Sequence, residues 1–129
     1  KIINFLNNNK NIEKLYYPMD DNFKQYELAK KQMSDGGSVI SFCLKTSSGQ
    51  IKKKTFDFLN NLKIIDISNN LGDTKSLITH PYTTTHHRLS EKEKISLRIT
   101  QNLVRLSVGL EDVDDLIDDI RESISKTFN

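Results

Sequence analysis

A strand with a single arginine, a glycine and an acid-rich amphipathic helix follow one another near the end of the chain. The segment reads Asn102-Leu-Val-Arg-Leu-Ser-Val-Gly-Leu-Glu-Asp112, and the helical pattern continues past Asp119. Because side chains alternate along a strand, Arg105 shares one face with Leu103 and Ser107, and the other face is apolar. A guanidinium fixed on a sheet in this way suits bidentate capture of a carboxylate.

Strand and helix patterns alternate along the rest of the chain. Short apolar and alternating runs predict strands at residues 12–17, 39–45, 64–67 and 76–79. Helical spacing predicts helices at residues 1–9, from 21 or 22 to about 33, and at 52–62. Ser90 and Glu93 fit a capping box, in which serine and glutamate satisfy each other's free amides. Together these patterns predict an α+β domain with a mostly antiparallel sheet covered on one face by helices.

Apolar spacing within these elements predicts which side chains reach the core. In the strand at 39–45, alternation places three side chains on one face: Ile40, Phe42 and Leu44. In the helix at 52–62, three side chains are expected to face inward: Phe56, Leu59 and Leu62. The last helix opens with acids that suit the positive end of its dipole: Glu111, Asp112, Asp114 and Asp115.

Length and charge exclude several classes of protein. The chain has 129 residues, of which 36% are hydrophobic and 28% charged, and this fits one globular domain at 1–129. Its net charge of +2 gives no reason to expect a nucleic-acid partner. No apolar stretch is long enough to cross a bilayer, so we expect a cytoplasmic protein with no membrane partner. Cys43 lies in an apolar run, where a buried filler is expected rather than a nucleophile.

The first residues look like part of a longer protein. The chain opens on Lys1 and continues directly into an apolar helical stripe, with no capping residue ahead of Ile2. We therefore expect a fragment in which residues 1–11 are the end of a helix entering from a larger, missing domain.

Several polar groups admit both a functional and a structural interpretation. Judged alone, Arg105 is more often a solvated strand residue than a binding group. His80, His86 and His87 cluster, but their spacing matches no compact zinc motif, so we predict no metal site. The turn at residues 69–73 contains Asn70, whose amide could hold a substrate carboxylate or a catalytic amine.

Five ordered landmarks then connect the chain with a known family. They are Glu27-Leu-Ala-Lys-Lys-Gln-Met-Ser34, Leu71-Gly-Asp73, Ser76-Leu-Ile-Thr-His-Pro81, Thr85-His86 and Leu103-Val-Arg-Leu-Ser-Val-Gly-Leu-Glu-Asp112. From Asn11 to about Ile124 the chain resembles the small C-terminal domain of the cystathionine gamma-synthase family. These are fold-type I enzymes of cysteine and methionine metabolism that depend on pyridoxal phosphate.

The resemblance implies roles for two residues. Arg105 would bind the α-carboxylate of the substrate, and Asn70 would line the same pocket. Residues 80–89 would lie near the entrance of the active site. The catalytic lysine and the cofactor-binding residues would belong to the missing portion. The parent would therefore hold pyridoxal phosphate, while this fragment would carry no catalytic or cofactor-binding residue and would be inactive alone.

Within the family, residues 65–80 are most similar to the O-succinylhomoserine sulfhydrylase branch. Such a transferase would make homocysteine from O-succinylhomoserine and sulfide in methionine biosynthesis, and the parent is expected to be a homotetramer. The alternatives within the family are cystathionine gamma-synthase, methionine gamma-lyase and O-acetylhomoserine sulfhydrylase. Outside it, a stand-alone regulatory module that binds a carboxylate through Arg105 would explain the same arginine.

Overall fold

A computed structural model describes residues 1–47 and 49–128 of the chain. The helices are α1 (Ile2–Asn7), α2 (Tyr26–Gln32), α3 (Ile51–Asn61), α4 (Glu91–Ser96) and α5 (Val113–Phe128). The strands are β1 (Ile12–Tyr16), β2 (Val39–Leu44), β3 (Asp66–Ile67), β4 (Leu77–Thr79) and β5 (Leu103–Ser107). None of the helices in these two ranges has the length and apolar composition needed to cross a membrane.

The five strands form one open sheet in the order β1-β2-β5-β4-β3. The pairs β1–β2, β2–β5 and β5–β4 are antiparallel, and β3 pairs in parallel with β4 at the edge of the sheet. The predicted α+β class with a mostly antiparallel sheet is therefore confirmed. Strand β5, with Arg105 at its middle, is the central strand, so its side chains have a paired neighbour on both sides.

One face of the sheet carries the apolar core. The strands contribute Ile40, Phe42, Leu44, Ile78, Val104 and Leu106 to it. Helices α1, α3 and α5 cover this face with Ile2, Leu6, Phe58, Leu59, Leu116, Ile117, Ile120 and Ile124. The rings of Phe42 and Phe58 meet edge to face, with centroids 6.0 Å apart. This is the arrangement that the alternation in β2 and the helical spacing in α5 predicted.

Two helices differ from the sequence-based expectations. In α3, Phe58 is fully buried and Phe56 only partly, so the inward face is rotated from the predicted one. Helix α2 begins at Tyr26, later than the predicted cap at Asp21 or Asn22. The residues before it form turns instead, in which the buried Asp20 accepts a hydrogen bond from the Asn22 amide. A local turn bonded to a side chain here competes with helix formation.

The helix ends near the sheet are set by side chains. The predicted capping box of α4 is present, with Ser90 N donating to Glu93 Oε2 at 2.8 Å. Asp112 caps α5 by accepting from the Asp114 amide at 2.8 Å. Within α5, the buried carboxylate of Asp119 accepts from the backbone amides of residues 63, 64 and 65. This last contact fixes the segment that follows α3, and no pattern in the sequence predicts it.

The turn predicted at 46–49 includes Ser48, which lies outside the described residues.

Candidate functional site

Arg105 lies in the centre of the sheet, on the face opposite the core. The register places Ser41 of β2 opposite it on one side and Thr79 of β4 on the other. Its chain neighbours Val104 and Leu106 are fully buried in the core, whereas Arg105 is half-buried. The alternation predicted for β5 is therefore confirmed, because the one charged side chain of this strand faces away from the core.

The guanidinium of Arg105 is held at one nitrogen and unpaired at another. Its Nη2 donates a hydrogen bond of 2.7 Å to the main-chain carbonyl of Asn69. Its Nε is buried, and no group in the described part of the chain accepts a hydrogen bond from it. A buried donor without a partner costs about 1–3 kcal/mol of stability, so the fold holds Nε at this place at an energetic cost. The planar fork of a guanidinium matches the two oxygens of a carboxylate.

Residues 68–75 form a loop that lies against the Arg105 face of the sheet. The Gly72 amide donates to Ser107 Oγ at 2.9 Å, and the Leu110 amide donates to the Thr74 carbonyl at 2.8 Å. Gly72 has a φ of +75°, a left-handed conformation that glycine adopts without a steric penalty. The 68–75 loop is therefore held against the sheet by hydrogen bonds from both Gly72 and Leu110.

Asn70 lies in this loop, one residue beyond the carbonyl that holds Arg105. It is exposed, and its backbone amide donates to Ser68 Oγ at 3.3 Å. Within the described residues its side-chain amide makes no hydrogen bond. The structure thus brings the loop of Asn70 to Arg105 through Asn69. The sequence reasoning overlooked Asn69 because its contact uses a backbone carbonyl, which any residue type would offer.

A second set of hydrogen bonds fixes the start of β4. Glu111 accepts from the Ser76 amide at 2.7 Å and from the Ser76 hydroxyl at 2.8 Å. The same hydroxyl accepts from the Gly109 amide at 2.8 Å. Burial acts to raise the pKa of Glu111, but the hydrogen bonds from Ser76 lower this pKa below its ordinary value. The sequence interpretation placed Glu111 at the positive end of the helix dipole; its carboxylate contacts Ser76, and Asp112 caps the helix instead.

Gly109 is required by the same set of contacts. A Cβ at this position would lie 2.4 Å from the Thr74 carbonyl oxygen and 2.5 Å from Glu111 Oε2. Such approaches are far inside van der Waals contact, so no other residue fits without movement of the backbone. The glycine that ends the arginine strand thereby allows the 68–75 loop to close onto the end of β5.

The three histidines do not form a metal site in this arrangement. His80 is buried, and its Nε2 lies 2.9 Å from the Gln101 carbonyl, an acceptor, so Nε2 carries the proton. Its Nδ1 then accepts from Thr83 Oγ1 at 2.8 Å, and burial lowers the pKa of the ring. Among the described residues, no group of three or more histidine, cysteine, aspartate or glutamate side chains has the placement to hold a metal ion.

Cys43 is also a structural residue in this arrangement. It is buried, and burial raises the pKa of its thiol above the ordinary value. A raised pKa leaves little thiolate near neutral pH, and the thiolate is the nucleophilic form. The interpretation of Cys43 as a buried filler is confirmed.

Comparison with known protein families identifies the chain. Residues 1–125 match a family described as Cys/Met metabolism PLP-dependent enzymes, where PLP is pyridoxal phosphate. The chain belongs to this family. Because the family depends on pyridoxal phosphate, the cofactor expected for the parent from the five sequence landmarks is confirmed at the level of the family.

Curated relatives of the chain include members with different activities. An O-succinylhomoserine sulfhydrylase of Mycobacterium tuberculosis is 45% identical over 125 residues, covering 97% of this chain and 31% of that protein. An L-methionine gamma-lyase of Fusobacterium nucleatum is 46% identical over 125 residues, with the same coverage of 97% and 31%. The chain thus spans about a third of the length of the curated relatives it matches.

Solved structures of the family share the fold. A protein described as an O-acetylhomoserine (thiol)-lyase from Campylobacter jejuni matches with a TM-score of 0.87 and 35% identity, covering 95% of this chain and 28% of that one. A cystathionine gamma synthase from Xanthomonas oryzae matches with a TM-score of 0.90 and 27% identity, covering 98% of this chain and 32% of that one. The fold class implied by the resemblance is therefore confirmed as a part of the fold-type I enzymes.

The residues around Arg105 do not by themselves make a site for pyridoxal phosphate. Among the described residues, the buried lysine is Lys94, whose ammonium pairs with Glu91 at 3.2 Å and lies 4.2 Å from the centre of the Tyr82 ring. Among the described residues, the groups paired with Arg105 are the Asn69 carbonyl and the strand partners Ser41 and Thr79, which carry hydroxyls. These groups do not include the amine that an aldehyde cofactor needs.

Proposed function

We propose that residues 1–129 are the C-terminal, substrate-binding domain of an O-succinylhomoserine sulfhydrylase. The full-length enzyme, meaning the longer parent polypeptide, would replace the succinyl group of O-succinylhomoserine with sulfide. Homocysteine and succinate would be the products. In this proposal, α1 (Ile2–Asn7) is the end of a helix that enters from a larger domain carrying the cofactor site, and residues 8–11 lead from it into β1.

The observation that carries the proposal is the guanidinium of Arg105. It is presented from the central strand, with Nη2 fixed on the Asn69 carbonyl and a buried Nε that lacks an acceptor. An incoming α-carboxylate would bind the N–H groups that Asn69 leaves free on this half-buried guanidinium and form a charge-assisted pair, which is about twice as strong as a neutral hydrogen bond. Arg105 would in this way fix the carboxylate end of the substrate and leave the far end, with its acyl group, free to react.

Asn70 would act at the same end of the substrate. Its side-chain amide is exposed beside the carbonyl that holds Arg105, and it offers both a donor and an acceptor. By the family resemblance, sulfhydrylase-type members commonly have asparagine at this place and lyase-type members usually have serine. Serine offers a single hydroxyl on a shorter arm. The choice of the sulfhydrylase branch rests on this residue and on the 45% identity to the sulfhydrylase of M. tuberculosis.

The cofactor would be held outside this chain. Pyridoxal phosphate supplies an electron sink to amino-acid reactions, and the protein around it supplies binding and orientation. The described residues at Arg105 would bind and orient the substrate only, so the chain alone is expected to be inactive. The full-length enzyme is expected to assemble as a homotetramer.

A lyase is the second candidate function. The L-methionine gamma-lyase of F. nucleatum is 46% identical to the chain, a value that does not separate it from the sulfhydrylase at 45%. A carboxylate-binding arginine would serve either reaction, because both act on amino acids. The two branches differ in the step after the acyl or thiol group leaves, since a sulfhydrylase adds sulfide and a lyase completes an elimination.

Product analysis of the full-length enzyme separates the two candidates. With O-succinylhomoserine and sulfide, a sulfhydrylase yields homocysteine in excess over the products of succinate elimination. Asn70→Ser should shift this ratio toward elimination, and Asn60→Ser, an exposed asparagine on α3, is the matched control. Sulfide-independent elimination as the main reaction of the unaltered enzyme would assign it to the lyase branch. An unchanged ratio in a folded, active Asn70→Ser variant would remove Asn70 from reaction choice.

A further inference from the structure

We infer that Thr79 and Asn69 are positioning residues that orient the guanidinium of Arg105 for the substrate carboxylate. Neither residue was singled out as a site residue by the sequence. The inference rests on the proposed role of Arg105 and extends it to the groups that set its geometry. It starts from a chain of hydrogen bonds that begins in the buried strand β4 and ends at Arg105.

Thr79 is the fixed end of this chain. It is 1% exposed and lies directly opposite Arg105 in the antiparallel β4–β5 pair. Its hydroxyl donates to Asn69 Oδ1 at 2.8 Å, which leaves its oxygen to accept from Thr84 Oγ1 at 3.0 Å. A β-branched residue on a central part of a sheet has few rotamers, so the direction of this hydroxyl is set by the strand.

Asn69 carries that constraint to the guanidinium. Its side chain is anchored on Thr79, and its main-chain carbonyl accepts from Arg105 Nη2 at 2.7 Å. Two groups of one exposed residue therefore bridge two neighbouring strands across the Arg105 face. Without the anchor on Thr79, the carbonyl of Asn69 would depend only on the loop backbone for its position.

The consequence is a guanidinium fixed in advance of substrate binding. A side chain that is already ordered loses less conformational freedom when the ligand binds, and this raises the affinity. The bond to Asn69 occupies one hydrogen of Nη2 and so limits rotation of the guanidinium plane. The N–H groups that Asn69 leaves free then point in fixed directions, and this favours one direction of approach for the carboxylate.

Thr79→Val in the full-length enzyme removes the hydroxyl and keeps the shape of the side chain. We expect the KM for O-succinylhomoserine to rise about fivefold, with kcat nearly unchanged, because binding of the carboxylate end is weakened throughout the reaction. Thr79→Ser, which keeps the hydroxyl, should restore most of the affinity. Asn69→Ala, at an exposed position, should reproduce the rise in KM even if Thr79→Val fails to fold.

A matched control separates positioning from loss of stability. Thr55 is also fully buried, and its hydroxyl bonds the Ile51 carbonyl within α3 at 2.9 Å, away from the Arg105 face. Thr55→Val should leave the KM unchanged. An equal rise in KM for Thr55→Val would overturn the inference, since the effect would then follow from any lost buried hydroxyl bond.

Binding without turnover gives an independent readout. L-norleucine has the α-amino and α-carboxylate groups of the substrate but no leaving group. Its Kd, measured by titration calorimetry with the full-length holoenzyme, should rise about fivefold in Thr79→Val and Asn69→Ala and stay constant in Thr55→Val. Constant Kd values in all of these variants would overturn the inference.

A double-mutant cycle distinguishes failure of this inference from failure of the proposed function. If Thr79 acts through Arg105, Thr79→Val should add little to the KM of an Arg105→Lys variant. A fivefold rise that persists in the Arg105→Lys background would overturn the positioning role and leave Arg105 in place. An Arg105→Lys variant with normal KM and Kd would instead remove Arg105 from the substrate site, and the inference would fail with it.

Discussion

The two faces of strand β5 differ in whether their side chains find all of their packing and hydrogen-bond partners among the described residues. On one face, Val104 and Leu106 are fully buried against helices α3 and α5, and their packing needs nothing further. On the other, Arg105 is half-buried, with a buried Nε that has no acceptor among the described residues. The first face stabilises the fold, and under the proposed function the second keeps a group whose partner is a ligand, at a cost in stability. Substitutions on the two faces should therefore separate stability from substrate binding.

The largest effect on stability is expected from the core face. Leu106→Ala removes a side chain that is 1% exposed in the middle of the central strand. We expect the free energy of unfolding to fall by about 2–5 kcal/mol, because the surrounding core relaxes only partly around the cavity. Urea unfolding of the 129-residue chain measures this value. A loss below about 1 kcal/mol would mean that this face is not closely packed.

The faces of the strands were predictable from sequence because alternation depends only on the period of the backbone. Helical spacing was less decisive and placed Phe56 rather than Phe58 in the core. Helix α3 carries phenylalanine at both positions, and only packing against β2 decides between them. Arg105 was found from its residue type. Asn69 was not, because its carbonyl contact leaves no trace in the sequence, and Glu111 was assigned to the helix dipole since its partner Ser76 is distant along the chain.

The second effect concerns Glu111, which joins the end of β5 to the start of β4. Glu111→Gln weakens the two hydrogen bonds from Ser76, and we expect a loss of about 1–2 kcal/mol in the free energy of unfolding. Asp114→Asn is the control, because among the described residues that carboxylate pairs with Lys1 in an exposed ion pair and otherwise acts through the helix dipole. If both variants lose the same stability, the contact with Ser76 has no special role.

The contribution of Glu111 should also depend on pH. Its pKa is lower in the folded chain than the ordinary value of 4.5, so the unfolded chain binds the proton first as the pH falls. The stabilisation is fully present above the unfolded pKa and is lost as the pH falls through the folded pKa. Unfolding curves at several pH values below 6 should show a weaker acid dependence for Glu111→Gln than for the unaltered chain.

On the Arg105 face, activity should respond more than stability. Arg105→Lys keeps the charge but loses the planar fork, so the kcat/KM of the full-length enzyme should fall about tenfold or more, equivalent to about 1.4 kcal/mol. The free energy of unfolding of the chain should change by less than about 1 kcal/mol, since the lost bond to Asn69 is partly exposed. A destabilisation as large as that of Leu106→Ala would mean that both faces serve the fold.

The smallest effect is expected away from both faces, after helix α4. Arg98 has a φ of +59°, in the left-handed region that costs a residue with a Cβ about 1–2 kcal/mol. The position follows the last turn of α4, where the Ile99 amide bonds the Lys94 carbonyl, and glycine commonly takes such a place. Arg98→Gly relieves the strain but makes the unfolded chain more flexible, so the net gain in unfolding free energy should be about 0.5 kcal/mol. Arg98→Ala is the matched control, because it removes the charge and keeps the Cβ; a gain of equal size in Arg98→Ala would attribute the effect to the charge and not to the backbone.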